Sequence, residues 1–152
     1  MSFEFSLQGL LRLRESLEKE EEQKLAAAIG ELKRLQTKLE KVREQLASTS
    51  ERLSNLLARG TTGADLHLLC FEKVLLERRE KALAESVSSA LKGVQDQQAR
   101  FLEAKKKRKI LGDLREKQLA LFLLTERRKD QQVIDDTFLL RRTSDPTGKS
   151  LA

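Results

Sequence analysis

Four groups of residues in this 152-residue chain have types and spacings that could do chemistry. The first is Gly148-Lys149-Ser150, the closing letters of a loop that grips nucleotide phosphates. Such a loop needs G-x-x-x-x-G-K-[ST], emerging from a strand and opening a helix whose N-terminal N–H groups cradle the phosphate. Here the first glycine is replaced by Thr143, no strand precedes it, and only two residues follow Ser150. The expected reading is a flexible polar tail over 143–152. The second group is His67 with Cys70, three apart as two metal ligands on one helical face could be. Structural zinc takes four ligands and catalytic zinc three plus water, and the chain has no other His or Cys. A metal site would need a second subunit and acidic ligands; an ordinary half-buried thiol needs nothing more.

The third group is the 24 acidic residues, from which acid–base pairs could be drawn. General acid–base work needs a concave, water-excluding pocket to shift the carboxyl pKa values, and two helices alone do not build one. The expectation is a non-enzyme with no cofactor and no small-molecule substrate. The fourth group is Lys105-Lys106-Lys107-Arg108-Lys109, which could contact nucleic acid or anionic lipid. Five consecutive helical residues point all round the axis, and no aromatic interleaves them for base stacking. A solvated or protein-facing basic collar is the preferred reading, with nucleic acid kept as the alternative.

The elements that must carry these residues follow from composition. The chain is 39% hydrophobic, 36% charged and only 4% aromatic, with one proline at position 146, a mixture that suits long helices and coiled coils. A net charge of +6 leans toward acidic partners, although 30 basic residues are interspersed with 24 acidic ones. One cysteine excludes an internal disulfide framework, and the start M-S-F-E-F-S-L-Q-G-L-L lacks the features of a secretion signal. No stretch approaches the roughly 20 apolar residues that span a bilayer. The expectation is a cytoplasmic, soluble protein.

The apolar residues repeat with a seven-residue period. Leu25, Leu32, Leu39, Leu46 and Leu53 share one position, while Ala28, Leu35, Val42, Thr49 and Leu56 share the other. Upstream, Ser6 is expected to cap the helix, with Phe5 packing on Leu10, and Leu10 with Leu17 to continue the stripe. Leu17 to Leu25 is one residue too long for a strict heptad, so a stutter is expected there.

The repeat stops at A-R-G-T-T-G-A-D-L. Gly60 suits the left-handed residue that closes a helix, and Thr62 with Asp65 resembles a capping box. A second stripe then runs through Leu76, Leu83, Val87, Ala90, Val94, Phe101, Ala104 and Leu111, with Glu80, Gln97 and Arg108 filling its gaps. The predicted fold is all-α: a single hairpin over 4–142, with a helix at about 6–59, a turn at about 60–64 and a longer helix at about 65–142. At 1.5 Å per residue the helices are about 80 and 115 Å long. Folded as an antiparallel two-helix coiled coil, the chain brings Leu39 level with Ala84 and Leu10 level with Asp113. A longer parallel dimer satisfies the same seam. In the hairpin, everything beyond about Leu121 overhangs. Phe122, Leu123, Leu124, Val133, Ile134, Phe138, Leu139 and Leu140 then have no first-helix partner, as expected of a partner site or of an oligomer contact.

Specific stretches carry a family resemblance: F-x-L-x-x-L-L-x-L-R-E-x-x-E at Phe5 to Glu18, Leu25-Ala26-Ala27-Ala28, A-K-K-K-R-K-I-L-G-D-L-R-E-K-Q and T-E-R-R-K-D-Q-Q-V-I-D-D. With these the chain resembles the flagellar FliJ family of the type III export apparatus, which has relatives in virulence secretion. The resemblance implies a non-enzymatic stalk, similar to the gamma stalk of rotary ATP synthases, whose paired termini insert into a hexameric export ATPase ring. On this chain it implies ring contacts from Leu121, Phe122, Leu124, Arg127, Gln131, Ile134 and Phe138. It also implies an export-gate contact near the turn, at Phe71 and Leu75, although Ser48-Thr49-Ser50 stands where better-known members carry tyrosines. The implied partners are the export ATPase and its regulator, the cytoplasmic domain of the export gate and export chaperones. The implied location is cytoplasmic, peripheral at the inner face of the cell membrane through the export apparatus.

Overall fold

A computed structural model describes residues 1–144. Two helices account for nearly all of them: α1, Gln8–Arg59, and the longer α2, Gly63–Ser144. The expected all-α hairpin coiled coil is what the chain forms. Gly148-Lys149-Ser150 lies outside the described residues. Thr143 and Ser144, assigned to the tail from sequence, continue α2. The chain divides into two compact units, Met1–Glu15 with Lys106–Ala152 (unit 1) and Ser16–Lys105 (unit 2).

Unit 2 contains the turn. Gly60 follows α1 with φ +80°, a left-handed backbone that costs a side chain roughly 1–2 kcal/mol and glycine nothing. Thr62 caps α2 with its Oγ1 accepting the Asp65 N–H at 3.5 Å, while its hydroxyl donates to the Asp65 carboxylate at 3.0 Å. The first helical hydrogen bond runs from Leu66 N–H to the Thr62 carbonyl, so α2 starts at Gly63, two residues before its expected start. Arg59 in the last turn of α1 and Asp65 in the first turn of α2 each complement the helix dipole beside them.

Burial in unit 2 follows the seven-residue repeat. On α1, Leu32, Leu39, Val42 and Thr49 are buried, and Leu25, Ala28, Leu35, Leu46, Leu53 and Leu56 are half-buried. On α2, Leu69 is buried, and Leu76, Glu80, Leu83, Val87, Ala90, Val94, Gln97, Phe101 and Ala104 are half-buried. Lys73, which the apolar pattern does not reveal, takes a seam position between Leu69 and Leu76. Polar contacts fix the antiparallel register. Arg43 Nε donates to Glu80 at 3.0 Å, Arg52 Nη2 lies 3.4 Å from Glu72, and Gln97 Nε2 donates to the Glu21 carbonyl at 3.3 Å and to its carboxylate. Leu39 and Ala84 line one surface groove, as the expected register requires.

In unit 1 the beginning of α1 differs from expectation. Gln8 N–H bonds the Phe5 carbonyl at 3.0 Å, and Leu11 N–H bonds the Leu7 carbonyl at 2.9 Å, so the cap position is Leu7, not Ser6. Leu11 is buried at 4% exposure, whereas Leu10 and Leu17 are each 38% exposed. Between Leu11 and Leu25 the buried and half-buried positions of α1 are 11, 14, 18, 21 and 25, an unbroken alternation of three and four. The expected stutter is therefore absent. Counting back from Leu25 by sevens reaches Glu18 and Leu11. The seam keeps its period by accepting polar side chains, among them Glu21 with Gln97 as its partner.

Also in unit 1, Phe5 is buried and the Phe3 ring lies 5.6 Å from that of Phe122, tilted by 50°. This contact and half-buried Glu126 move the start of the overhang from Leu121 to Arg127, beyond which every described residue is exposed.

Leu11→Ala is expected to lower stability by about 2–3 kcal/mol, and Leu10→Ala by less than about 1 kcal/mol, as measured by urea denaturation followed by circular dichroism. Equal losses would restore the Leu10 stripe. Gly60→Ala, which forces a side chain into the left-handed region, is expected to cost about 1 kcal/mol in the same measurement.

Candidate partner-binding surfaces

Two of the apolar surfaces left outside the seam carry the residues singled out from sequence. The one in unit 2 lies on α2 just past the turn, where Leu68, Phe71, Val74 and Leu75 are all exposed. Their spacing of three and four puts them on one face, distinct from the face of Leu69, Lys73 and Leu76. Phe71 and Leu75, singled out from sequence, both belong to it. Beside this stretch, Arg52 bridges Glu72 and the Thr49 hydroxyl at 3.4 and 3.3 Å. Those residues line an open depression of about 490 Å³ with Ser48 and Leu76. His67 and Cys70 are exposed, and among the described residues no group of three His, Cys, Asp or Glu is arranged to hold a metal ion.

The surface in unit 1 is the end of α2. Leu121, Leu124, Arg127, Gln131, Ile134 and Phe138 are exposed, Ile134 at 61% and Phe138 at 64%, while Phe122 is half-buried against Phe3. The polar groups here are satisfied within the helix. Thr125 and Thr137 donate their hydroxyls to the carbonyls of Leu121 and Val133 at 2.8 and 2.7 Å, and Gln131 Nε2 donates to Asp135 at 2.9 Å. The exposed apolar residues are thus the unsatisfied part of this surface. Leu121-Phe122-Leu123-Leu124 are consecutive, so at about 100° per residue they point in four directions. No single groove could cover them.

Sequence reasoning missed Ile110 and Leu114 in unit 1, exposed at 67% and 36%. The signal was present in the spacing: Lys107, Ile110, Leu114, Lys117, Leu121, Leu124 and Arg128 alternate steps of three and four on a second face of α2. Charge elsewhere is paired locally. On α1, Arg34 donates to Glu31 at 3.0 Å and holds that carboxyl below its ordinary range. The hydrogen bond that Lys24 donates to Glu20, and then the charges of Glu20 and Glu21, raise the Lys24 pKa. The Glu31–Arg34 and Glu20–Lys24 pairs are exposed, where solvent screening leaves an ion pair little net effect on stability.

The chain is a two-helix coiled coil with apolar residues exposed outside its seam. The model of the flagellar FliJ protein family matches residues 3–145, nearly the whole chain, and the chain belongs to that family. The family is a non-catalytic structural component of the flagellar export apparatus, serving protein transport and motility. Neither a curated protein nor a solved structure matches the chain. No helix among the described residues is long and apolar enough to cross a membrane.

If the end of α2 is a partner surface and not part of the core, Ile134→Ser and Phe138→Ser should each change stability by less than about 0.5 kcal/mol. A cooperative loss of thermal midpoint in either variant would show that these residues stabilise the fold.

Proposed function

We propose that this chain is the stalk of the flagellar export apparatus, with the end of α2 inserted in the export ATPase ring and the turn end facing the export gate. The observation that carries this reading is that the apolar residues of α2 from Leu121 onward, Leu121 to Leu124, Val133, Ile134 and Phe138 to Leu140, project on all sides of the helix, with polar turns between them. Apolar side chains on every side need a partner that reaches every side. A ring encloses a helix in this way, whereas a groove or a single partner helix covers only one side.

Leu121, Phe122, Leu124, Ile134 and Phe138 are assigned the apolar contacts in the ring, and Arg127 and Gln131 the polar ones. Phe71 and Leu75, on the one-sided apolar stripe near the turn, are assigned to the cytoplasmic domain of the gate. There a groove is sufficient, because the exposed residues share one face. The ATPase regulator and export chaperones complete the proposed partners, and the proposed location is peripheral, at the inner face of the cell membrane. The chain supplies no reacting group in this scheme. It supplies a helix end whose shape and polarity favour an assembled ring over separate subunits.

Truncation after Glu126 keeps the Phe3–Phe122 contact and removes the fully exposed stretch. The truncated protein is expected to fold as the hairpin does and to lose its stimulation of the cognate export ATPase. Stimulation equal to that of the full chain would remove the ring assignment.

A further inference from the structure

We infer that the outward face of α2 in unit 1, from Lys107 to Arg128, docks on an anionic phospholipid surface. This goes beyond the stalk reading and shares only Leu121 and Leu124 with it, so lipid docking and enclosure by a ring are alternative states at those two residues.

The face is a helical stripe in which Ile110, Leu114, Leu121 and Leu124 alternate with Lys107, Lys117 and Arg128, all exposed. Charge is concentrated on the same segment. Residues 105–128 hold nine Lys or Arg against three Asp or Glu, a net +6, which is the net charge of the entire chain; 21 basic and 21 acidic residues elsewhere cancel. Within the stripe itself the charged residues are Lys107, Lys117 and Arg128, all basic, so an anionic occupant complements it, and that occupant must also accept four large apolar side chains.

Four occupants meet these two demands unequally. A nucleic-acid backbone offers nothing to Ile110 and Leu114, and no aromatic among the five consecutive basic residues offers stacking to bases. A second copy would bring an equal positive charge to the same face. A protein groove would have to provide a carboxylate for each cation set within the apolar stripe, since a buried unpaired charge is strongly unfavourable. A membrane interface has none of these difficulties. Leucine and isoleucine enter the acyl boundary, while lysine and arginine stems lie along it and their heads reach the phosphates. Each basic residue near an anionic leaflet strengthens binding roughly fivefold.

The test is flotation of the full chain with vesicles of phosphatidylcholine alone and of phosphatidylcholine mixed with phosphatidylglycerol. The protein should float with the mixed vesicles only, and less as salt rises. Lys107→Gln with Lys117→Gln should weaken binding about 25-fold, and Ile110→Gln with Leu114→Gln at least about tenfold. Circular dichroism should be unchanged in both pairs, because all four side chains are exposed. Equal partition onto neutral vesicles, no flotation, or native binding by both double variants would overturn the proposal. So would duplex DNA binding that the Ile110 and Leu114 changes leave intact in a protein that does not float. The chain truncated after Glu126 keeps all but the end of the stripe and should still float, so failure of the ring assignment and failure of this one are separate results.

Discussion

One seam governs this molecule. Each helix has a single stripe, repeating every seven residues, that can be removed from water by the other, and two helices leave no second layer to cover anything else. That is why so few side chains are fully buried, why the depressions are open grooves, and why large apolar residues remain exposed on other faces. The seam also sets the limit on chemistry. Without a third element there is no enclosed volume in which a carboxylate or thiol could be desolvated and its pKa moved far.

The seam is not uniformly apolar, and its polar members define the register. Thr49 is 1% exposed, and Glu21, Lys73, Glu80 and Gln97 occupy half-buried seam positions in unit 2. Each sacrifices some hydrophobic stabilisation relative to leucine. In return, a slip of one heptad would separate Arg43 from Glu80 and Gln97 from Glu21, leaving half-buried polar groups to find other partners. Polar seam residues are the best-attested means by which coiled coils choose one alignment among many equivalent ones. The leucines supply the stability of the pair, and the polar residues decide which pair it is.

How much of this was legible in the sequence depended on whether a position was apolar. From Leu25 to Leu111 the seam could be read almost residue by residue, because leucine, valine and alanine mark it, and Gly60, Thr62 and Asp65 carry unmistakable turn chemistry. The misreading came where seam positions are polar. Glu18 and Glu21 hold places that pattern recognition gave to neighbouring leucines, so Leu10 and Leu17 were assigned to a stripe they do not form. Leu11 was the correct residue, and only the strict period identifies it. The extent of the overhang was misjudged for a different reason. Phe3 precedes α1 and carries no periodic signal, yet its ring meets Phe122 and extends the covered part of α2. At the surfaces, Phe71, Leu75 and the apolar end of α2 could be found as apolar residues off the seam. Ile110 and Leu114 were hidden behind the more conspicuous run of lysines.

The exposed end of α2 raises a thermodynamic question that the seam also answers. From Arg127 to Ser144 the helix spans about 27 Å with every residue exposed, and an isolated helix of that length is marginal in water because nucleation is costly. Here nucleation has already occurred, since these turns propagate from a helix held by Leu111 and Phe122 within the same unit. The Lys129–Glu126 pair at 3.0 Å adds a little local support. A partner that encloses this end meets side chains already arranged on a helix, so less conformational entropy is lost than if the segment folded on binding. The apolar surface is costly in water and favourable once enclosed, and that difference is the driving force the chain brings to assembly.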